Sequence, residues 1–457
     1  MSKNEKSRGG AGAAALIILA AVLIIISAVV IFFFVRDSRS GNAGDGAEKS
    51  SGAVSDTGES VDDPEKTPGG TESGTLPGDS QSPTETTDEG ISGTEPATSE
   101  NSEKSDIYEG EIEQLISQMS LHEKVCQLFI VTPESLTGNA VSVATASGEM
   151  TKNCLEQYPV GGLIYFAQNL ESMSQAQTML SDAKNIRQEL GMIPMFYGVD
   201  EEGGKVARCA ETIGTTAFQS MYDYKDMGED TAYSNAFTIA SDVAGVGFNL
   251  DFAPVADTWS NPANTVIGKR AYSDDFEQTA ELVASAVKGF RDGGVYCSLK
   301  HFPGHGDTAE DSHFGMATSY KTVAELEQNE YLAFKSGIEA GADMVMVGHM
   351  TMANVDGLPA SVSSTMITDE LRGKLGYDGV VVTDALGMGA VANMYGSADL
   401  AVRVLQAGGD ILLMPADFYS AVQGVENAVA GGTLTEERID ESVRRILKLK
   451  AEKIGLE

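Results

Sequence analysis

The chain has 457 residues and a net charge of -36, with 31 lysines and arginines against 67 aspartates and glutamates. That balance excludes a nucleic-acid partner, because too few cations are left to neutralise phosphates along a backbone. A hydrophobic content of 42% is enough for a sizeable core, and the length allows one large domain or two ordinary ones.

Residues 1–10 carry Lys3, Lys6 and Arg8. Residues 11–35, AGAAALIILAAVLIIISAVVIFFFV, are almost wholly apolar. A run of this length spans a bilayer as a helix. It is longer than a secretory h-region and no small-x-small cleavage site follows it, so it reads as an uncleaved anchor. Arg36 and Arg39 follow the span, so the positive-inside rule gives only a modest preference for a cytoplasmic N-terminus and an extracellular remainder. No Cys near the span supports a lipid anchor. Residues 36–105 are mostly Ser, Thr, Gly, Pro, Glu and Asp, with no aromatic residue. Such a stretch buries too little apolar surface to fold and reads as a disordered acidic tether.

From Asp106 onward the pattern is globular. Short apolar runs recur at Leu128–Val131, Gly162–Phe166, Pro194–Val199, Asn249–Val255, Tyr296–Leu299, Asp343–Val347, Gly379–Thr383 and Asp410–Met414. Helical periodicity lies between them at Ser172–Leu190, Thr231–Val246, Asp275–Asp292 and Val323–Gly341. Continuous apolar strands alternating with helices predict a parallel sheet covered on both faces. Eight such units predict an α/β fold, a single (β/α)8 barrel over residues 106–457, with an open doubly wound sheet as the alternative. Thr433–Leu456 carries Ile439, Val443, Ile446 and Leu447 on one face and reads as a closing amphipathic helix. The four cysteines, Cys126, Cys154, Cys209 and Cys297, match no zinc spacing and read either as disulfide partners or as small core residues.

Barrel chemistry sits at the C-terminal ends of the strands. Five predicted strand ends deliver titratable groups: Asp200, Asp257, Lys300 with His301, His349, and Asp384. Three of the five histidines fall within the run KHFPGHGDTAEDSH at 300–313, beside carboxylates, which suggests proton transfer. Pro303 and Gly304 break any helix that would bring His301 and His305 together on a metal. Asp311 sits two residues from His313, where a carboxylate sets an imidazole tautomer. His122 lies in a surface-like helical stretch and has no assigned role. Asp384 reads equally as a helix N-cap or as a nucleophile. The paired glycines of GVDEEGG predict a tight turn.

Six ordered motifs together resemble glycoside hydrolase family 3, nearest its β-N-acetylglucosaminidase branch: GVDEEGG at 198–204, NLDFAPVAD at 249–257, VIGKRAY at 266–272, KHFPGHGDTAEDSH at 300–313, MVGHM at 346–350 and VVTDALGM at 381–388. The resemblance covers residues 110–457. It implies a retaining barrel enzyme in which Asp384 is the nucleophile, His313 the acid/base and Asp311 its polarising partner. It implies further that Asp200, Arg208, Arg270, Lys300 and His301 hold the N-acetylglucosamine. Lys205 stands where relatives often have arginine, and no sugar contact is assigned to it. β-Glucosidase relatives draw an acid/base glutamate from a second domain. Here Glu457 follows the last predicted helix, so the proton donor is expected within the barrel.

The expected activity is removal of terminal β-linked N-acetylglucosamine from cell-wall fragments by a monomeric enzyme anchored outside the cytoplasmic membrane. That expectation includes no metal and no organic cofactor. Phosphorolysis, a β-glucoside or chitooligosaccharide substrate, a metal-dependent hydrolase and an inactive wall-binding barrel remain as alternatives.

Overall fold

Eight short strands, buried on both faces, pair in parallel around a closed ring. In the computed structural model, which describes residues 98–309 and 316–456, they are β1 (Phe129–Val131), β2 (Gly162–Ile164), β3 (Phe196–Val199), β4 (Leu250–Asp251), β5 (Tyr296–Phe302), β6 (Met344–Val347), β7 (Val380–Thr383) and β8 (Leu412–Leu413). Each pairs with its sequence neighbour. A bridge from Val382 to Ile411 closes the ring between β7 and β8. The fully apolar strands follow from this geometry: the inner face fills the barrel and the outer face meets helices. The predicted barrel is therefore observed.

The helices that matter for the packing are α1 (Thr98–Gln118), α2 (Leu121–Gln127), α3 (Met173–Glu189), α4 (Glu229–Val246), α5 (Phe276–Asp292), α6 (Tyr331–Glu339), α7 (Ser397–Ala407), α8 (Phe418–Ala430) and α9 (Glu436–Lys453). Side-chain N-caps set several starts: Ser172 accepts from the Gln175 amide and Asp275 from that of Gln278. The closing helix α9 buries Ile439, Val443, Ile446 and Leu447, the predicted face. Asp410 ties that helix to the barrel seam, accepting from the Val381 amide at 3.0 Å, from Ser442 Oγ at 2.6 Å and from Arg372 and Arg445.

Three expectations change. Helix α1 begins at Thr98, inside the stretch read as tether to residue 105, because no proline interrupts the chain between there and a segment anchored by buried Ile112 and Ile116. The single helix expected over Val323–Gly341 is two, Val323–Gln328 and α6, broken at Asn329, whose φ and ψ are -128° and -92°. Strand β4 is shorter than Asn249–Val255 because Pro254 has no amide to give a ladder. The four cysteines are free thiols, three of them buried, which selects the core reading. The expected span at 11–35 lies outside the described residues, as does the tether up to residue 97. Among the described residues no helix is long and apolar enough to cross a membrane.

The floor of the barrel holds an unusual group. Lys450 is wholly buried, with its Nζ over the Phe196 ring, 4.8 Å from the centroid, and bonded to Gln127 Oε1 at 3.0 Å and the Gly161 carbonyl at 3.1 Å. None of these partners is a carboxylate. Burial, reinforced by Arg187, pushes its ammonium down to about 7. An unfolded lysine titrates near ~10.4. Between those values the unfolded chain holds a proton that the folded chain lacks, so stability rises with pH across that window. Lys450→Met is expected to abolish that rise, and to leave stability at neutral pH unchanged or higher by about 1 kcal/mol. Urea midpoints of the two proteins, measured from about pH 7 to about pH 10, check this. Parallel curves would refute it.

Candidate active site

The C-terminal rim carries the polar strand ends, and a cavity of about 770 Å³ opens there. That volume lies in the range of pockets that enclose small ligands. Its wall includes Asp200, Glu202, Lys205, Arg208, Arg270, Lys300, His301 and Asp384, with Phe166, Met388 and Met414 as apolar neighbours.

Asp200 leaves β3 and enters an antiparallel ribbon, Glu201–Gly203 with Val206–Ala207. The predicted tight turn is present: Gly203 and Gly204 have φ of 89° and 59°. A Cβ on Gly204 would stand 2.5 Å from Ser220 Cα, so the position admits only glycine. The ribbon folds Asp200 and Glu202 towards the barrel axis. Lys300 Nζ donates to Asp200 Oδ1 at 2.8 Å and pairs with Glu202 Oε1 at 2.6 Å. Arg270 grips the same Glu202 with Nε and Nη2, both at 2.8 Å. Burial alone would raise the Glu202 carboxyl, but Arg270 and Lys300 outweigh it and hold it well below the usual range. Burial would likewise lower Lys300, but Asp200 and Glu202 keep it charged and push it up.

Lys300 and His301 are consecutive yet both line the cavity. Side chains of a regular strand alternate. Here the register with β6 shifts between Leu299 and Phe302, an extra residue that lets both face inward. His301 Nδ1 lies 2.7 Å from Asp257 Oδ2. A carboxylate only accepts, so Nδ1 carries the proton and Nε2 is left for the cavity. Asp257 also accepts from the His305 amide at 2.6 Å. Burial opposes its ionisation, but His301 and His305 outweigh burial and lower its carboxyl.

Asp384 follows β7, and its amide donates to the Val347 carbonyl at 2.9 Å. Its Oδ1 accepts from the Ala385 amide at 2.7 Å. The next helix begins only at Gly389, with Met388 as its cap, so Asp384 is not an N-cap. Burial would raise its carboxyl, but His301, His349, the Ala385 amide and Lys300 together hold it below the usual range. His349 sits behind it, with Nε2 3.0 Å from the Ala385 carbonyl and Nδ1 2.8 Å from Ser361 Oγ. Carbonyl oxygen cannot donate, so Nε2 carries the proton and neutral Nδ1 accepts from the serine. Burial lowers this imidazole, in keeping with the neutral form.

Of the residues expected from the sequence, Asp200, Arg208, Arg270, Lys300, His301 and Asp384 converge on one cavity. Asp311 and His313 lie outside the described residues. Asp257 and His349 stand behind the wall, where they orient its members. Glu202 was passed over as part of a glycine turn, although an adjacent Glu-Glu before paired glycines is itself a charge signal. Lys205, to which no contact was assigned, lines the cavity. Among the described residues neither Lys205 nor Arg208 forms an ion pair, and Arg208 Nε is buried without a partner.

The profile of the Glycosyl hydrolase family 3 N terminal domain matches residues 120–449. The chain is 32% identical over 340 residues to the Beta-hexosaminidase A of Pseudoalteromonas piscicida, covering 69% of this chain and 57% of that protein. It is 34% identical over 282 residues to the Beta-hexosaminidase of Xylella fastidiosa strain M23, covering 59% and 82%. A glycoside hydrolase family 3 β-N-acetylglucosaminidase structure from Paenibacillus sp. str. FPU-7 superposes with a TM-score of 0.69 at 36% identity, over 73% of this chain and 63% of that one. The chain thus spans less than two thirds of the first and the last of these relatives. With the barrel and the motif-bearing cavity wall, these matches show that the chain belongs to glycosyl hydrolase family 3.

Proposed function

We propose that the protein is a retaining exo-β-N-acetylglucosaminidase acting on peptidoglycan fragments. The observation that carries this reading is Asp384. It is a carboxylate kept ionised on the wall of a sugar-sized cavity, beside charged groups fixed by buried pairs. In this reading Asp384 attacks the anomeric carbon and forms a glycosyl-enzyme. His313, polarised by Asp311, protonates the leaving oxygen and then activates water, in place of the second carboxylate that most glycosidases use. Asp200, Arg208, Arg270, Lys300 and His301 hold the sugar. Their hydrogen bonds strengthen as charge develops, at little reorganisation cost, because Lys300 and Arg270 are already locked. The apolar span 11–35 anchors the enzyme in the membrane with the barrel outside, where cell-wall fragments are released.

A phosphorolytic variant is favoured by one observation. Lys205 and Arg208 leave two cations on the cavity wall with no carboxylate partner among the described residues, and an attacking phosphate needs such groups.

The full chain in detergent is expected to release N-acetylglucosamine from 4-nitrophenyl N-acetyl-β-glucosaminide. Asp384→Ala is expected to lose at least roughly a thousandfold in kcat, and His313→Ala roughly a hundredfold or more. The same assay in phosphate distinguishes the products, since a sugar 1-phosphate means phosphorolysis. Turnover of a β-glucoside alone would overturn the substrate, and no turnover of any glycoside would favour a wall-binding protein.

The pH profile gives a second check. A nucleophile must be ionised, and a depressed carboxyl remains so as pH falls through the ordinary aspartate range. The acid limb of kcat/KM due to Asp384 is therefore expected below about pH 4. A limb due to the nucleophile centred near pH 6 would assign that role elsewhere.

A further inference from the structure

Beneath the cavity lies a pair of buried carboxyls, Glu201 and Asp251. Glu201 is 2% exposed and Asp251 is fully buried. Asp251 faces Val199 across the β3–β4 ladder, one residue before the cavity-lining Asp200. Its Oδ1 accepts from the Glu201 amide at 2.9 Å, and its Oδ2 is buried with no partner among the described residues. The Glu201 side chain turns the other way. Its Oε2 accepts from the Cys209 amide at 2.6 Å and its Oε1 from the Ala210 amide at 3.0 Å. Glu201 thus lies between Asp200 and Glu202 in sequence, is held from below through its backbone, and holds the turn that carries Arg208 through its side chain.

We propose that Asp251 and Glu201 are positioning residues, a two-step clamp that aims Asp200, Glu202 and Arg208 into the cavity. Two apolar side chains would fill this space with less desolvation, but neither would receive the three backbone N–H groups that the two carboxyls receive. Those N–H groups lie in the ribbon and in the first turn of the short helix Arg208–Ile213 after it, where neither strand nor helix pairing satisfies them. The amides of Glu201 and Cys209, left unpaired and buried, would each be destabilising, and the ribbon would relax to find partners. The residues displaced would be those that hold Lys300 and Arg270. Burial pushes the Asp251 carboxyl well above the usual range, which fits a protonated acid with its O–H at Oδ2. Burial also outweighs the Cys209 and Ala210 amides and Arg208 to bring Glu201 up to about 7. A neutral Asp251 makes asparagine an adequate substitute and alanine an inadequate one.

The kinetic arm of the test rests on the glycosidase reading, whereas the exchange arm does not. Hydrogen–deuterium exchange at the amides of Glu201, Cys209 and Ala210 is measured in the full chain, with KM and kcat on the 4-nitrophenyl substrate, for Asp251→Asn, Asp251→Ala and Glu201→Gln. Asp251→Asn is expected to keep amide protection and to hold KM within roughly twofold. Asp251→Ala is expected to expose the Glu201 amide and raise KM by roughly tenfold, with a smaller change in kcat. Glu201→Gln, with one acceptor atom in place of two, is expected to lose protection at Cys209 or Ala210. Should Asp251→Ala not fold, the other two variants decide. Wild-type protection and KM in Asp251→Ala, or equal damage in Asp251→Asn, would overturn the clamp. A wild-type chain without turnover would count against the glycosidase reading, and amide protection would still decide the clamp.

Discussion

The site depends on one buried carboxylate. Glu202 receives Arg270 through two parallel bonds and Lys300 through a third contact, and Asp200 takes the other side of Lys300. Charges removed from water are tolerated only when paired and fully hydrogen-bonded. Here the condition is met by a chain that links the end of β3, the segment after β4 and the end of β5. Because each partner satisfies the next, none moves alone. Two cations are therefore held at fixed positions on the cavity wall before any ligand arrives. Preorganisation of this kind makes a polar site more effective than water at stabilising charge that develops during reaction.

A second layer sets the orientation of the first. Asp257 fixes the tautomer of His301 and also takes the His305 amide, so it joins the two ends of the Phe302–Gly304 turn. His349, held neutral by burial, donates to the carbonyl of Ala385, and the amide of that same residue donates to Asp384. Neither Asp257 nor His349 is part of the cavity wall. His349 follows β6 and Asp257 lies in the loop beyond β4, and each restricts a neighbour that does line the wall. The same division recurs at metal centres, where outer groups orient the ligands.

The barrel was legible because its signal is redundant. Eight apolar runs, each too short for a helix, alternate with amphipathic segments, and an error at one end of a strand leaves the count unchanged. Boundaries were less legible where one residue decides them. Pro254 truncates a ladder, and Asn329 splits a helix whose apolar periodicity continues through the break. At the site, residues that end strands were found, because strand ends are visible as a change from apolar to charged. Glu202 and Asp251 were not found. Glu202 sits within a glycine turn and its partners lie 68 residues away and more. Asp251 falls inside an apolar run that reads as core. Burial and long-range pairing give such residues their role, and neither leaves a periodic trace. Lys205 was set aside for differing from relatives, although position on the wall depends on the backbone turn more than on which cation occupies it.

The sign of the whole chain gives little guide to the site. The protein carries -36, yet the cavity wall brings Lys205, Arg208, Arg270 and Lys300 against three carboxylates, Asp200, Glu202 and Asp384. At physiological ionic strength, fields from exposed charges fade within ~8 Å. The acidic surface therefore neither draws a neutral sugar in nor keeps an anion out of contact range. Recognition falls to groups that touch the ligand. Of the four cations, Arg270 and Lys300 are neutralised within the protein and offer directed N–H groups more than net charge. Among the described residues, Lys205 and Arg208 form no ion pair. The paired and the unpaired cations thus differ in what holds them: Lys205 and Arg208 sit in the turn of the ribbon and at the start of the following helix, whose first amides bond to Glu201.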